Sequence, residues 1–169
     1  MIFEGYDLKS IWQKDPKQQF VEPQPTDAEI AECEKRIGFK LPLAYIELMK
    51  QTQNGGLLAK NTIQQNDENG NTVRTLTCTY LWAIGENLYS MEERKQFSGL
   101  KNLPDIGIYF AENQGARRTE RFALDYSSCG PDGEPCVSLA KGIRRDGKSY
   151  YETTVIAWRA PQSLNQFQS

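Results

Sequence analysis

Four carboxylates, Glu112, Asp125, Asp132 and Glu134, cluster around segments that read as turns, where acidic side chains can meet a basic protein surface or hold a cation. Their spacing is not that of a calcium loop, so a docking role outranks a metal role, and a solvated surface role outranks both. Two basic sets, Arg117, Arg118 and Arg121, then Arg144, Arg145 and Lys148, can grip an acidic partner, but no aromatic residues are interleaved among them as a nucleic-acid platform requires. Cys129 and Cys136 lie equidistant from Asp132-Gly133, and a two-residue hairpin turn there would set them opposite each other, close enough for a disulfide or redox pair. Pro131 and Pro135 weaken that ladder, so reduced, half-buried thiols are the expected state.

The chain has no histidine, which removes the Ser-His-Asp triad, the Cys-His pair, the HExxH zinc site and the histidine general base together. The four cysteines form no CxxC pair, so a structural zinc site is not expected, and a reducing cytosol fits them best. We expect no catalytic residue, no cofactor and no bound metal. A formal charge of −2 with interspersed signs lacks the positive field that nucleic acid selects. Residues 1–11 carry Glu4 and Asp7 and no long apolar run, the pattern of neither a signal peptide nor a membrane anchor. At 169 residues, 38% of them hydrophobic, one domain over residues 1–169 with a genuine core is the expectation.

The elements that must position these groups are legible from periodicity. Leu8, Ile11 and Trp12 share helical spacing before Asp15-Pro16, predicting a short amphipathic helix with Trp12 on the core. Pro23 and Pro25 mark an extended connector, and Thr26 with Glu29 forms a capping box that starts a helix at Asp27. Ile30, Cys33 and Ile37 line its inner face, Gly38 supplies a left-handed stop, and Glu34 beside the apolar stripe demands a hydrogen-bond or cationic partner. Leu41-Pro42 starts a second helix with Tyr45, Leu48 and Met49 inward, and Asn54-Gly55-Gly56 ends it.

Residues 57–71 read as a loop or irregular hairpin outside the core. Leu76, Cys78, Tyr80, Trp82 and Ile84 alternate with Thr75, Thr77 and Thr79 as one half-buried strand, closed by Gly85. Tyr80, Trp82 and, later, Trp158 read as core aromatics on strands. Asn87 caps a short helix through Met91 and Phe97. Strands follow through Ile106, Ile108 and Phe110, through Phe122, Leu124 and Tyr126, briefly through Val137 to Leu139, and about Thr153 to Trp158 after the charged turn at Asp146-Gly147, with a terminal helical turn over 161–167. Helices first and strands after describe an α+β domain, with N-terminal helices packed on one face of a largely antiparallel sheet.

The run from Ile30 through Glu34, Gly38, Leu41-Pro42 and Tyr45 to Asn54-Gly55-Gly56 resembles the opening signature of the SUKH superfamily, which includes fungal cell-wall assembly regulators. Leu81-Trp82-Ala83-Ile84-Gly85 is similar to that family's central strand, and Cys129-Gly130-Pro131-Asp132-Gly133-Glu134-Pro135 resembles a turn of one bacterial branch. A departure stands at Gly115-Ala116-Arg117-Arg118, where many relatives carry Gly-Asp or Gly-His. The motif-bearing core runs over about 26–158. The resemblance implies a protein-binding scaffold without catalysis, most often a cytoplasmic bacterial immunity protein that neutralises a toxin domain such as a nuclease. A regulatory interaction module is the alternative it implies. A small-ligand binder or histidine-independent enzyme using Asp125, Glu134 or Cys129 is the reading from another class. Partner identity, binding face and oligomeric state are not expected from sequence.

Overall fold

The computed structural model describes residues 3–5, 7–14, 21–59, 61–67, 69–86, 103–115 and 120–157. The expected helix through Met91 and Phe97, the terminal turn over 161–167, and Trp158, Arg117 and Arg118 lie outside those residues.

The chain opens with a four-residue 3-10 turn, Leu8–Ile11, shorter than the amphipathic helix expected. Trp12 nonetheless packs inward at 7% exposure, and its indole N–H donates to Thr52 Oγ1 at 2.8 Å. Helix α1, Asp27–Ile37, begins at the expected capping box: Thr26 Oγ1 accepts from the Glu29 N–H, and Glu29 returns a carboxylate to the Thr26 N–H at 2.7 Å. It ends on Gly38, whose φ of 80° is open to glycine at little cost. Helix α2, Leu43–Gln51, follows with Pro42 as its cap, one position outside the helix and not its first residue.

Among the described residues eight strands follow: β1 (Gly56–Leu57), β2 (Thr62–Asn66), β3 (Thr72–Thr77), β4 (Tyr80–Leu81), β5 (Gly107–Asn113), β6 (Glu120–Asp125), β7 (Cys136–Arg145) and β8 (Lys148–Ala157). Six form one sheet in the order β1-β4-β5-β6-β7-β8, antiparallel throughout, while β2 and β3 pair separately. Together with the helices they make an α+β fold, as the periodicity predicts. Tyr45 of α2 meets Phe110 of β5 edge-on at 5.6 Å, and Phe39 stacks beside Tyr126 at 4.6 Å, so the helical layer locks onto one sheet through aromatic contacts.

Three sequence expectations need correction. The single strand from Leu76 to Ile84 is two: the chain leaves the small sheet after Thr77 and enters the large one at Tyr80, because Cys78 and Thr79 donate to Asn61 and Glu112 instead of to one common neighbour. The segment before it is a hairpin, as one of the two alternatives held, but it is not outside the core: Leu58 and Ile63 are each 3% exposed and belong to the same hydrophobic cluster as the helices. The last two strands span ten residues apiece, far longer than expected. Their outer halves, from Lys141 to Glu152, lie beyond the core with polar residues on both faces, so no apolar alternation reports them. The turn joining them was readable, since Asp146 (φ 50°) and Gly147 (φ 76°) make the tight hairpin that Asp-Gly favours.

Candidate functional site

The motif residues converge on two structural joints. At the first, Tyr45, 1% exposed, donates its hydroxyl to the Trp82 carbonyl, tying α2 to the segment after β4. Burial, and then the neighbouring Tyr80, Cys33 and Cys78, push this phenol well above its ordinary pKa, so it remains a neutral donor. Asn54, also 1% exposed, uses its whole amide: the nitrogen donates to Pro23 O and Ile84 O at 2.8 Å each, and the oxygen accepts the Ile84 N–H at 2.9 Å. Its neighbour Gly55 lies so close to Ala83 that a Cβ would stand 2.7 Å from the Ala83 nitrogen, which is why the turn cannot carry a side chain there. Gly56 enters β1, and Gly85 follows Ile84 at the margin of a groove beneath α1.

The second joint is the corner between α1 and α2. Glu34, the carboxylate predicted to need partners, has both kinds: it accepts the Leu41 N–H at 2.8 Å and pairs with Lys40 Nζ at 2.7 Å. That contact closes the Gly38–Pro42 bend, and the carboxylate raises the Lys40 pKa. The turn after β6 reaches the same corner. The Lys40 N–H donates to Pro131 O at 2.8 Å, Tyr126 donates its hydroxyl to the Lys40 carbonyl, and Asp132 adds a second negative charge beside the Lys40 ammonium. Glu34, Lys40 and Asp132 thus line one shallow depression of about 220 Å³ with Gly38 and Phe39.

The four candidate partner-binding carboxylates do not form one cluster. Asp132 and Glu134 are exposed on the turn at the helix corner. Glu112, partly buried, lies across β5 and β6 from Arg121 at 3.8 Å, a separation that leaves the buried Arg121 Nε without a hydrogen bond. Asp125 is 5% exposed at the end of β6, where it accepts from Ser138 Oγ at 2.7 Å and from Ser127 N and Oγ at 3.0 and 2.5 Å. Burial pushes its pKa up, but the Ser127 and Ser138 hydrogen bonds outweigh it and hold the carboxyl below its ordinary range. Nothing in the sequence flags that role, because Ser138 lies on the next strand and a lone Asp after Leu124 has the look of a turn residue.

Nor does the turn set the two cysteines opposite each other. The β6–β7 register pairs Cys136 with Asp125, and Cys129 sits in the turn that begins at Tyr126, so Cys136 is buried, Cys129 is exposed and both are free. Burial raises the pKa of each thiol. Among the described residues, no three His, Cys, Asp or Glu side chains converge as metal ligands, and no helix is long and apolar enough to cross a membrane.

A protein-family model, SUKH_6, described as SMI1-KNR4 cell-wall, matches residues 27–157, from the first residue of α1 to the last of β8. No curated protein and no solved structure matches the chain.

Proposed function

The chain belongs to the SMI1-KNR4 cell-wall family of the SUKH superfamily, and from that membership we propose that it acts by binding another protein, as an immunity-type module that covers the active surface of a cognate toxin. The family match over residues 27–157 is the observation that carries this reading. The fate of the motif residues supports it. Tyr45, Asn54, Gly55 and Glu34 are consumed by internal contacts, so they maintain the scaffold and leave recognition to surface side chains that vary without disturbing it. Exposed Asp132 and Glu134, on a turn anchored to the helix corner through Pro131, suit a basic partner surface and would speed its encounter.

No catalysis by this chain is part of the proposal. The Cys78, Cys129 and Cys136 thiols are shifted away from the reactive thiolate, and Asp125, the most buried candidate acid, is held ionised by hydroxyl groups. The cytosol is the compartment that suits four cysteines outside any disulfide.

A second reading, a regulatory interaction module, draws on the cell-wall wording of the family description. The experiment that separates them is co-expression with the protein encoded beside this gene. Rescue of growth and a stable complex on purification support the immunity reading. Growth arrest despite a soluble, folded chain, with pull-down recovering a housekeeping assembly, supports the regulatory one.

A further inference from the structure

One concavity lies away from the carboxylates read as candidates in the sequence. It is a groove of about 500 Å³ between α1, the extended connector before it and the segment after β4. Its size falls in the range, about 300–1,000 Å³, of clefts that enclose a small ligand or a few side chains. Pro23, Pro25, Ala28 and Ile84 supply an apolar lining, and Glu22, Glu29, Glu32 and Glu86 supply carboxylates, with Arg36 the one basic side chain among the described residues. Among the described residues the lining carries four carboxylates against one guanidinium, an excess of three negative charges, with Glu29 also capping α1 through Thr26. That excess sits on one concave surface, where field lines focus.

The combination of apolar lining and acidic rim matches one kind of guest. Arg and Lys side chains bury their aliphatic stems on apolar surface while the charged head seeks carboxylates. Arg36 already shows that contact from inside the fold, since its guanidinium is paired both with Glu32 on α1, at 3.4 Å, and with Glu86 after β4. Part of the groove lining is also fixed by internal bonds. Asn54 ties two of its lining residues, Pro23 and Ile84, together through the 2.8 Å contacts it makes to both carbonyls. A preorganised cleft loses little entropy on binding.

We propose that this groove is the docking site for an extended arginine- or lysine-rich segment of the protein partner. The inference rests on the protein-binding reading above and names the chemistry of what is bound. The test uses the full chain and a fluorescent arginine octapeptide, with its citrulline counterpart as the uncharged control, followed by anisotropy. Glu22→Gln/Glu86→Gln is expected to weaken arginine-peptide binding roughly tenfold, from two rim charges at the upper end of exposed-pair energies. Ala28→Trp, which fills the groove at an exposed helical position without altering charge, is expected to weaken it as much. Glu4→Gln/Glu152→Gln, removing two exposed carboxylates elsewhere, is expected to leave it within about twofold. Equal loss in both double variants, no loss with Ala28→Trp, or equal binding of the citrulline peptide overturns the proposal. A partner complex that forms with the wild-type chain and survives both groove variants unchanged overturns it too, and leaves the protein-binding reading intact. Absence of any partner complex, with groove-dependent arginine binding retained, removes that reading instead.

Discussion

Replacing Asn54 with Ala should lower the stability of the whole fold, and the size of the loss follows from its contacts. The amide makes three hydrogen bonds in a fully enclosed position, to Pro23 O, Ile84 O and the Ile84 N–H, and truncation leaves all three backbone groups without that partner. At about 1 kcal/mol net per bond the loss is about 3 kcal/mol, with unsatisfied buried groups acting in the same direction. For a chain of this length each kcal/mol displaces the melting midpoint by roughly 2–4 °C, so the expected fall is roughly 6–12 °C. Thermal unfolding followed by circular dichroism measures it. Asn54→Asp is the informative companion: it keeps an acceptor for the Ile84 N–H but turns a carboxylate towards two carbonyls. It should be at least as unstable at neutral pH and recover part of the loss under mildly acidic conditions, where a protonated carboxyl donates again. A midpoint for Asn54→Ala within about 2 °C of wild type would refute the view that this one amide joins the connector to the strand layer.

Other outcomes follow from the same geometry. Glu34→Ala should cost about 1–2 kcal/mol in denaturant unfolding, because the Leu41 N–H loses its acceptor, while Glu34→Gln keeps an acceptor and should cost less than half as much. Asp125 lies below its ordinary pKa of 3.8 in the fold, so its contribution is present above that value and lost as pH falls through the lower folded value; Asp125→Asn should flatten the acid limb of a stability-against-pH curve. Alkylation of the native protein should label Cys129 well before Cys33, Cys78 and Cys136, with a rate that climbs through alkaline pH, and mass spectrometry of the digested product reads the site. Cys78, buried and pushed up to about 12, should label only on unfolding.

The helical half of the molecule was legible because its signals are local. Thr26 and Glu29 sit three residues apart and form the box they advertise, Gly38 stops the helix it follows, and Ile30, Cys33 and Ile37 share the face their spacing assigns. Strand content was legible wherever one face is apolar, as at Phe122 and Leu124. What escaped depends on distant partners. The passage from the small sheet to the large one at Cys78-Thr79 is set by acceptors on Asn61 and Glu112, and the polar outer half of the β7–β8 hairpin has no face that a core could mark. The site divided in the same way. Sequence proximity suggested an acidic set around the turns, yet Asp125 turned inward to Ser138, and the acidic groove gathers Glu22, Glu32 and Glu86 from three separate segments. Charge clusters of that kind exist only after folding.

Calorimetric titration of the purified protein with the polypeptide encoded beside its gene tests protein binding most directly. A stoichiometric complex with a dissociation constant in the nanomolar range, about that of other specific recognition complexes, is the predicted result. No heat of binding at roughly 100 μM of both proteins, or turnover of a substrate by this chain alone, would contradict it.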